Sequence, residues 1–169
     1  MTRLSSQRLV LSELDEVDAP FILQLLNDPD WIRFIGDRKV RTLEDARNYL
    51  RSGPLSMYAR EGFGLYRTAL AGDDTPIGLC GLIRRPTLPD VDIGFAFLPE
   101  YRGRGYAFES AAAVLAQART LGLQRVVAIV SPENVRSAAL LSRLDFQRER
   151  SIRLAEDDDL LDLYARDLV

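Results

Sequence analysis

Apolar residues make up 47% of the 169, and 25 acidic against 22 basic residues leave a net charge of −3, so nothing marks an extended basic surface for nucleic acid. With no histidine and one cysteine, Cys80, the chain lacks the parts of common zinc sites, of Cys-His and Ser-His-Asp nucleophile systems, and of any internal disulfide. No run approaches the roughly 20 apolar residues of a membrane span, and Met-Thr-Arg-Leu-Ser-Ser lacks a signal-peptide pattern, so a cytoplasmic protein with no membrane partner is expected.

In chain order, Arg8 to Leu14 alternates apolar and polar residues as a first strand. A helix is predicted over Asp18 to Asn27, with Asp18 as its cap and Phe21, Leu25 and Leu26 on one face. Asp30 to Val40 reads as irregular. A second helix starts at the Thr42 cap and finishes near Ser52-Gly53-Pro54. Three short apolar or alternating segments, Phe63 to Leu70, Ile77 to Ile83 and Val91 to Leu98, are separated by turn residues and read as successive antiparallel strands.

From Gly105 to Leu121 the apolar spacing is helical, and Arg125 to Val130 follows as a buried strand, so a parallel pair joined by a crossover helix is expected. Asn134 caps a last helix, after which Phe146 to Leu154 and Leu160 to Leu168 form a closing hairpin around the acidic turn Glu156 to Asp159. No repeat or linker interrupts the series. It predicts a single domain over 1–169 of α/β class, a mixed sheet with helices on both faces.

The segment Arg102-Gly103-Arg104-Gly105-Tyr106-Ala107 stands between a strand and a helix. Glycines there let successive amides face outward at a helix start, where unpaired N–H groups and about half a positive charge favour a phosphate or pyrophosphate. Arg102 and Arg104 add full charges. The loop fits neither the nucleoside-triphosphate nor the dinucleotide glycine pattern. A plain tight turn with solvated arginines explains the same residues, so context must decide.

Arg102, Gly105 and Ala107 fit the signature Gln or Arg, two free positions, Gly, one free position, Gly or Ala, and in this the sequence resembles the GNAT acetyltransferases. Ser6-Gln7-Arg8-Leu9-Val10-Leu11, Asp92-Ile93-Gly94-Phe95 and Asn134-x-x-Ser137 look like its ribosomal-protein alanine acetyltransferase (RimJ/RimL) branch. The resemblance implies the acyl-CoA N-acyltransferase fold, a mostly antiparallel sheet whose fourth and fifth strands, here Val91 to Leu98 and Arg125 to Val130, run parallel and splay apart. It implies acetyl-CoA as donor and no metal. It puts the pantetheine arm against the backbone of Phe97 and Leu98, the pyrophosphate on the amides of Gly103 to Ala107, and Asn134 beside the cofactor.

For the chemistry, Asp92 is the candidate base: it shares a strand face with the small Gly94 and Ala96, and it matches the position of the base glutamate in the histone-acetyltransferase branch. Its ordinary reading is turn hydrogen bonding beside Asp90. The tyrosine that protonates the thiolate in many relatives is replaced by Leu141, and Ser137 is the nearest substitute, with a local capping bond as its alternative. Cys80 lies in an apolar strand with no activating histidine and reads as core.

The function expected is N-acetylation of a primary amine, a protein N-terminus or a small molecule, by a monomer or homodimer. The alternatives are a catalytically idle acyl-CoA-binding module and a regulatory domain that holds another phosphate ligand in the same cradle.

Overall fold

The computed structural model describes residues 1–169 and builds one eight-stranded mixed sheet in the order β1-β2-β3-β4-β5-β6-β8-β7. The strands are β1 (Arg3–Ser5), β2 (Leu9–Glu13), β3 (Leu65–Leu70), β4 (Pro76–Ile83), β5 (Asp92–Phe97), β6 (Arg125–Val130), β7 (Gln147–Ile152) and β8 (Leu161–Asp167). All neighbours pair antiparallel except β5 and β6. The helices are α1 (Ala19–Leu26), α2 (Pro29–Phe34), α3 (Leu43–Leu50), α4 (Ser56–Glu61), α5 (Tyr106–Thr120) and α6 (Val135–Arg143). The expected mixed sheet, its parallel pair and the closing hairpin are therefore present, with β8 inserted between β6 and β7.

Strand alternation divides the core. Tyr66, Cys80, Leu82, Ile93 and Phe97 pack with α5 residues such as Ala111, Val114 and Leu115 and with Leu141 of α6. Leu79 and Leu98 project the other way, into a second cluster with Phe21, Ile22 and Leu25 of α1, Trp31 of α2 and Leu50 of α3. The site-bearing strand β5 is thus covered on both faces.

Four local expectations are corrected. Asp18 makes no capping bond to α1; Asp15 caps the preceding 3-10 turn in a reciprocal box with Asp18, whose carboxylate also receives Arg67 Nε at 3.1 Å. The segment read as irregular holds α2, capped by Asp28, with Pro29 in the first helical position where its missing N–H costs nothing. Gly53-Pro54 does not stop the second helix, because a π-helical turn over Arg51–Leu55 carries the chain on into α4, which ends at Gly62 with φ 77°. Arg3–Ser5, too short to show a period, adds the edge strand β1. The Thr42 cap stands as read, in a reciprocal box with Asp45.

Candidate active site

The loop after β5 turns sharply through Gly103 (φ 75°) and Gly105 (φ 82°), and α5 begins at Tyr106. Both glycines occupy the left-handed region, which side-chain-bearing residues rarely enter. A Cβ on Gly103 would meet nothing within 4 Å, so open space lies over the loop; one on Gly105 would sit 3.2 Å from an Arg8 Nη atom. None of the amides from Gly103 to Phe108 donates to an acceptor within the chain, whereas the next, Glu109, already donates to Gly105 O. A run of outward N–H groups at the positive end of a 15-residue helix is a fitting cradle for a pyrophosphate.

Arg8 fastens this loop. Its Nε donates to Glu109 Oε1 at 2.8 Å and its Nη1 to Arg104 O at 3.0 Å, and its guanidinium lies 4.5 Å over the Tyr106 ring. Ser6 Oγ donates to the other Glu109 oxygen at 2.5 Å. The carboxylate nearest the cradle is therefore neutralised by the segment leading into β2. Sequence reasoning used Ser6 and Arg8 only as a pattern and did not find this role.

Arg102 differs from its expected part. It donates to Asp28 at 2.6 Å, to Asp30 at 2.7 Å and to Phe97 O at 2.9 Å, tying α2 to the end of β5. Two carboxylates consume its charge, so it serves as a tether and is not a free cation for phosphate. Arg104, by contrast, is exposed and makes no side-chain bond, so the loop's available charge is Arg104.

Beyond Asp92↔Val127, β5 and β6 share no further bridge, and the space between them opens toward their C-terminal ends. Leu98 N–H donates to Ile77 O, so by alternation Ala96, Gly94 and Asp92 also face β4, whereas the backbone groups of Phe95 and the N–H of Phe97 point to the gap, the Phe97 carbonyl being held by Arg102 Nε. Leu98 is a correction: its carbonyl is taken by Tyr101 N–H and its side chain is buried, so neither end of its peptide reaches the gap. Phe95 is the residue that replaces it, found by counting the hydrogen-bonding parity of the strand rather than its ends.

Across the gap stands α6. Asn134 Oδ1 accepts Ser137 N–H at 3.3 Å, the cap expected, while its Nδ2 has no partner. Ser137 Oγ is likewise unbonded within the chain, and both side chains line two connected recesses. One is a groove of about 410 Å³ running past Gly103, Gly105, Ala107 and Phe97. The other is a cavity of about 430 Å³ on the opposite side, reaching Asp92, Gly94 and Leu141. They share Trp31, Phe34, Ile35, Phe95, Ala96, Asn134 and Ser137, which form the passage between them.

Asp92 is 1% exposed and accepts Arg85 Nε at 3.0 Å. Burial pushes its carboxyl up to about 6, against the opposing pull of the Arg85 charge and hydrogen bond. A carboxylate there can exchange a proton near neutral pH. Arg85 was visible in the sequence only as part of a local arginine pair. Burial pushes the Cys80 thiol up to about 12, so the thiol is inert core as read.

The site is thus a mixed sheet splayed at one parallel pair, with an amide cradle at the mouth of the splay and a titratable carboxylate at its root. The family model described as acetyltransferase (GNAT) domain matches residues 8–147, and the chain belongs to that family. It is 28% identical over 170 residues to an uncharacterized N-acetyltransferase, p20, of Bacillus licheniformis, covering 97% of this chain and 94% of that one. The fold superposes on an acetyltransferase of Agrobacterium tumefaciens with TM-score 0.84 at 24% identity, covering 98% of this chain and 94% of that one. It superposes on RimL, a ribosomal L7/L12 α-N-protein acetyltransferase in complex with coenzyme A, with TM-score 0.83 at 21% identity and 98% of each chain. The chain is thus an acetyltransferase whose expected acyl donor is acetyl-CoA.

Proposed function

We propose that the protein transfers the acetyl group of acetyl-CoA to a primary amine by direct attack within one ternary complex. The observation that carries this reading is the passage between the two recesses, because it lets a donor in the groove meet an acceptor in the cavity. Bound acetyl-CoA supplies the activated thioester carbonyl. The amides of Gly103 to Ala107, with Arg104, hold its pyrophosphate, and the outward backbone of Phe95 and Phe97 takes the pantetheine arm. Asn134 Nδ2 and Ser137 Oγ face the passage, where they are available to the thioester and the departing thiolate.

Asp92 accepts the amine proton, directly or through water. The choice of amine follows from magnitudes. Neutralising an α-amine at pH 7 costs roughly 1 kcal/mol, and a lysine amine about 5 kcal/mol. A carboxylate poised near 6 suits the first and falls short for the second. On basicity alone an α-amine as weakly basic as a protein N-terminus is the acceptor supported best, and a more basic α-amine on a small molecule must be selected by contacts in the cavity.

Thiol release from acetyl-CoA, followed against α-amines and lysine side-chain analogues, tests this. Amine-dependent release favouring α-amines is expected, and kcat for Asp92→Asn should fall by roughly 10²–10⁴ as for loss of a general base, with CoA affinity retained. Binding of CoA with no release from any amine would favour the idle module.

A further inference from the structure

The acceptor cavity carries a bias in its polar groups. Only three charged side chains line it, Arg38, Arg85 and Asp92. Asp92 and Arg85 are paired through one nitrogen of Arg85, which leaves that guanidinium's other donors unspent. Arg38 makes no ion pair or hydrogen bond, because the neighbouring Asp37 is held by Arg41 at 2.7 Å. Trp31 Nε1 is buried with no acceptor, on a side chain 6% exposed that lines the cavity.

The Tyr49 hydroxyl belongs to the same wall. It lines the same cavity as Arg38 and Arg85, and burial raises its pKa while their charges pull it back. The remaining lining is mostly apolar and aromatic, including Phe34, Met57, Leu65 and Leu161. Unspent donors and one surplus positive charge call for an anion; the single carboxylate at the β5 root calls for an amine; the walls call for an apolar body.

Building on the transferase reading, we propose that the acceptor is a small primary amine carrying a carboxylate beside the amine and an apolar remainder, the chemistry of an apolar α-amino acid. Arg38 and the free nitrogens of Arg85 hold the carboxylate, a planar match for guanidinium, and Asp92 faces the amine. The volume of about 430 Å³ falls within the ~300–1,000 Å³ of small-molecule sites.

The test compares leucine, methionine and phenylalanine, each against its amide and its decarboxylated amine, with an acidic N-terminal peptide as a further arm. The amide has the less basic amine, so intrinsic reactivity favours it and selection by the cavity must overcome that advantage. At least one free acid is expected to exceed its amide in kcat/KM by roughly tenfold or more, and Arg38→Gln to collapse that ratio mainly through KM. Equal or better use of the amides, preference for the peptide, or a ratio untouched by Arg38→Gln would overturn the proposal while leaving the transferase intact. If no amine releases thiol, the transferase reading fails, and calorimetry of the same amino acids on CoA-saturated protein decides this one: binding weakened by Arg38→Gln supports it, and no binding overturns it.

Discussion

Asp92 and Arg102 both pair with an arginine or a carboxylate partner, yet their environments give them opposite uses. Arg102 bridges Asp28, 8% exposed, and Asp30, and its removal leaves a buried carboxylate unpaired. Arg102→Ala should therefore destabilise the fold by about 2–3 kcal/mol, reduced from the ~3–5 kcal/mol of a fully buried pair because Arg102 is 22% exposed, and a denaturation curve checks it. Asp92, whose carboxyl burial lifts from 3.8 to about 6, binds a proton more tightly folded than unfolded. Its contribution to stability is thus fully present below pH 3.8 and is lost as pH rises through 6, by at most ~3 kcal/mol. Wild type should lose stability relative to Asp92→Asn across that window, while the acid limb of kcat/KM near pH 6 should disappear in the variant's residual activity. Chemical denaturation and rate profiles from pH 4 to 8 read both.

At the scale of elements, the cradle was legible because it is local: two glycines, a strand end and a helix start lie within a few residues, and their backbone conformation follows from their type. Thr42 and Asn134 were legible as caps for the same reason. The fate of Arg102 was not, because its partners Asp28 and Asp30 are brought to it only by α2, which starts at Asp28-Pro29 in front of a segment whose residues show no helical period. The Phe95-for-Leu98 exchange depended on which strand edge faces β4, a pairing fact absent from a single strand's sequence. Strand packing also makes a prediction of its own. A Cβ on Gly81 would lie 2.0 Å from Gly64 O, a backbone atom that cannot step aside, so β3 and β4 approach here only because Gly81 has no side chain. Gly81→Ala should cost about 3 kcal/mol, the upper end for overpacking, and a lowered melting temperature checks it.

Over the whole molecule, function depends on one break in an otherwise continuous sheet. Four of the seven strand pairings, β3–β4, β4–β5, the parallel β5–β6 and the β7–β8 hairpin, were legible in the sequence, but the depth of the splay, a single bridge at Asp92↔Val127, appears only once α5 and α6 cover one face and α1 to α3 the other. The two recesses share the walls of their passage but differ beyond it, so Gly103 and Gly105 in the groove and Arg38, Arg85 and Asp92 in the cavity can be altered separately. The most direct measurement is a calorimetric titration of CoA into the wild-type protein and into Gly105→Asp, which adds a side chain and a negative charge at a φ of 82° inside the cradle. Micromolar binding by the wild type with at least a hundredfold loss in the variant is predicted, a difference of about 2.7 kcal/mol. Unchanged CoA affinity in Gly105→Asp would contradict the assignment of this loop and, with it, the placement of the whole site.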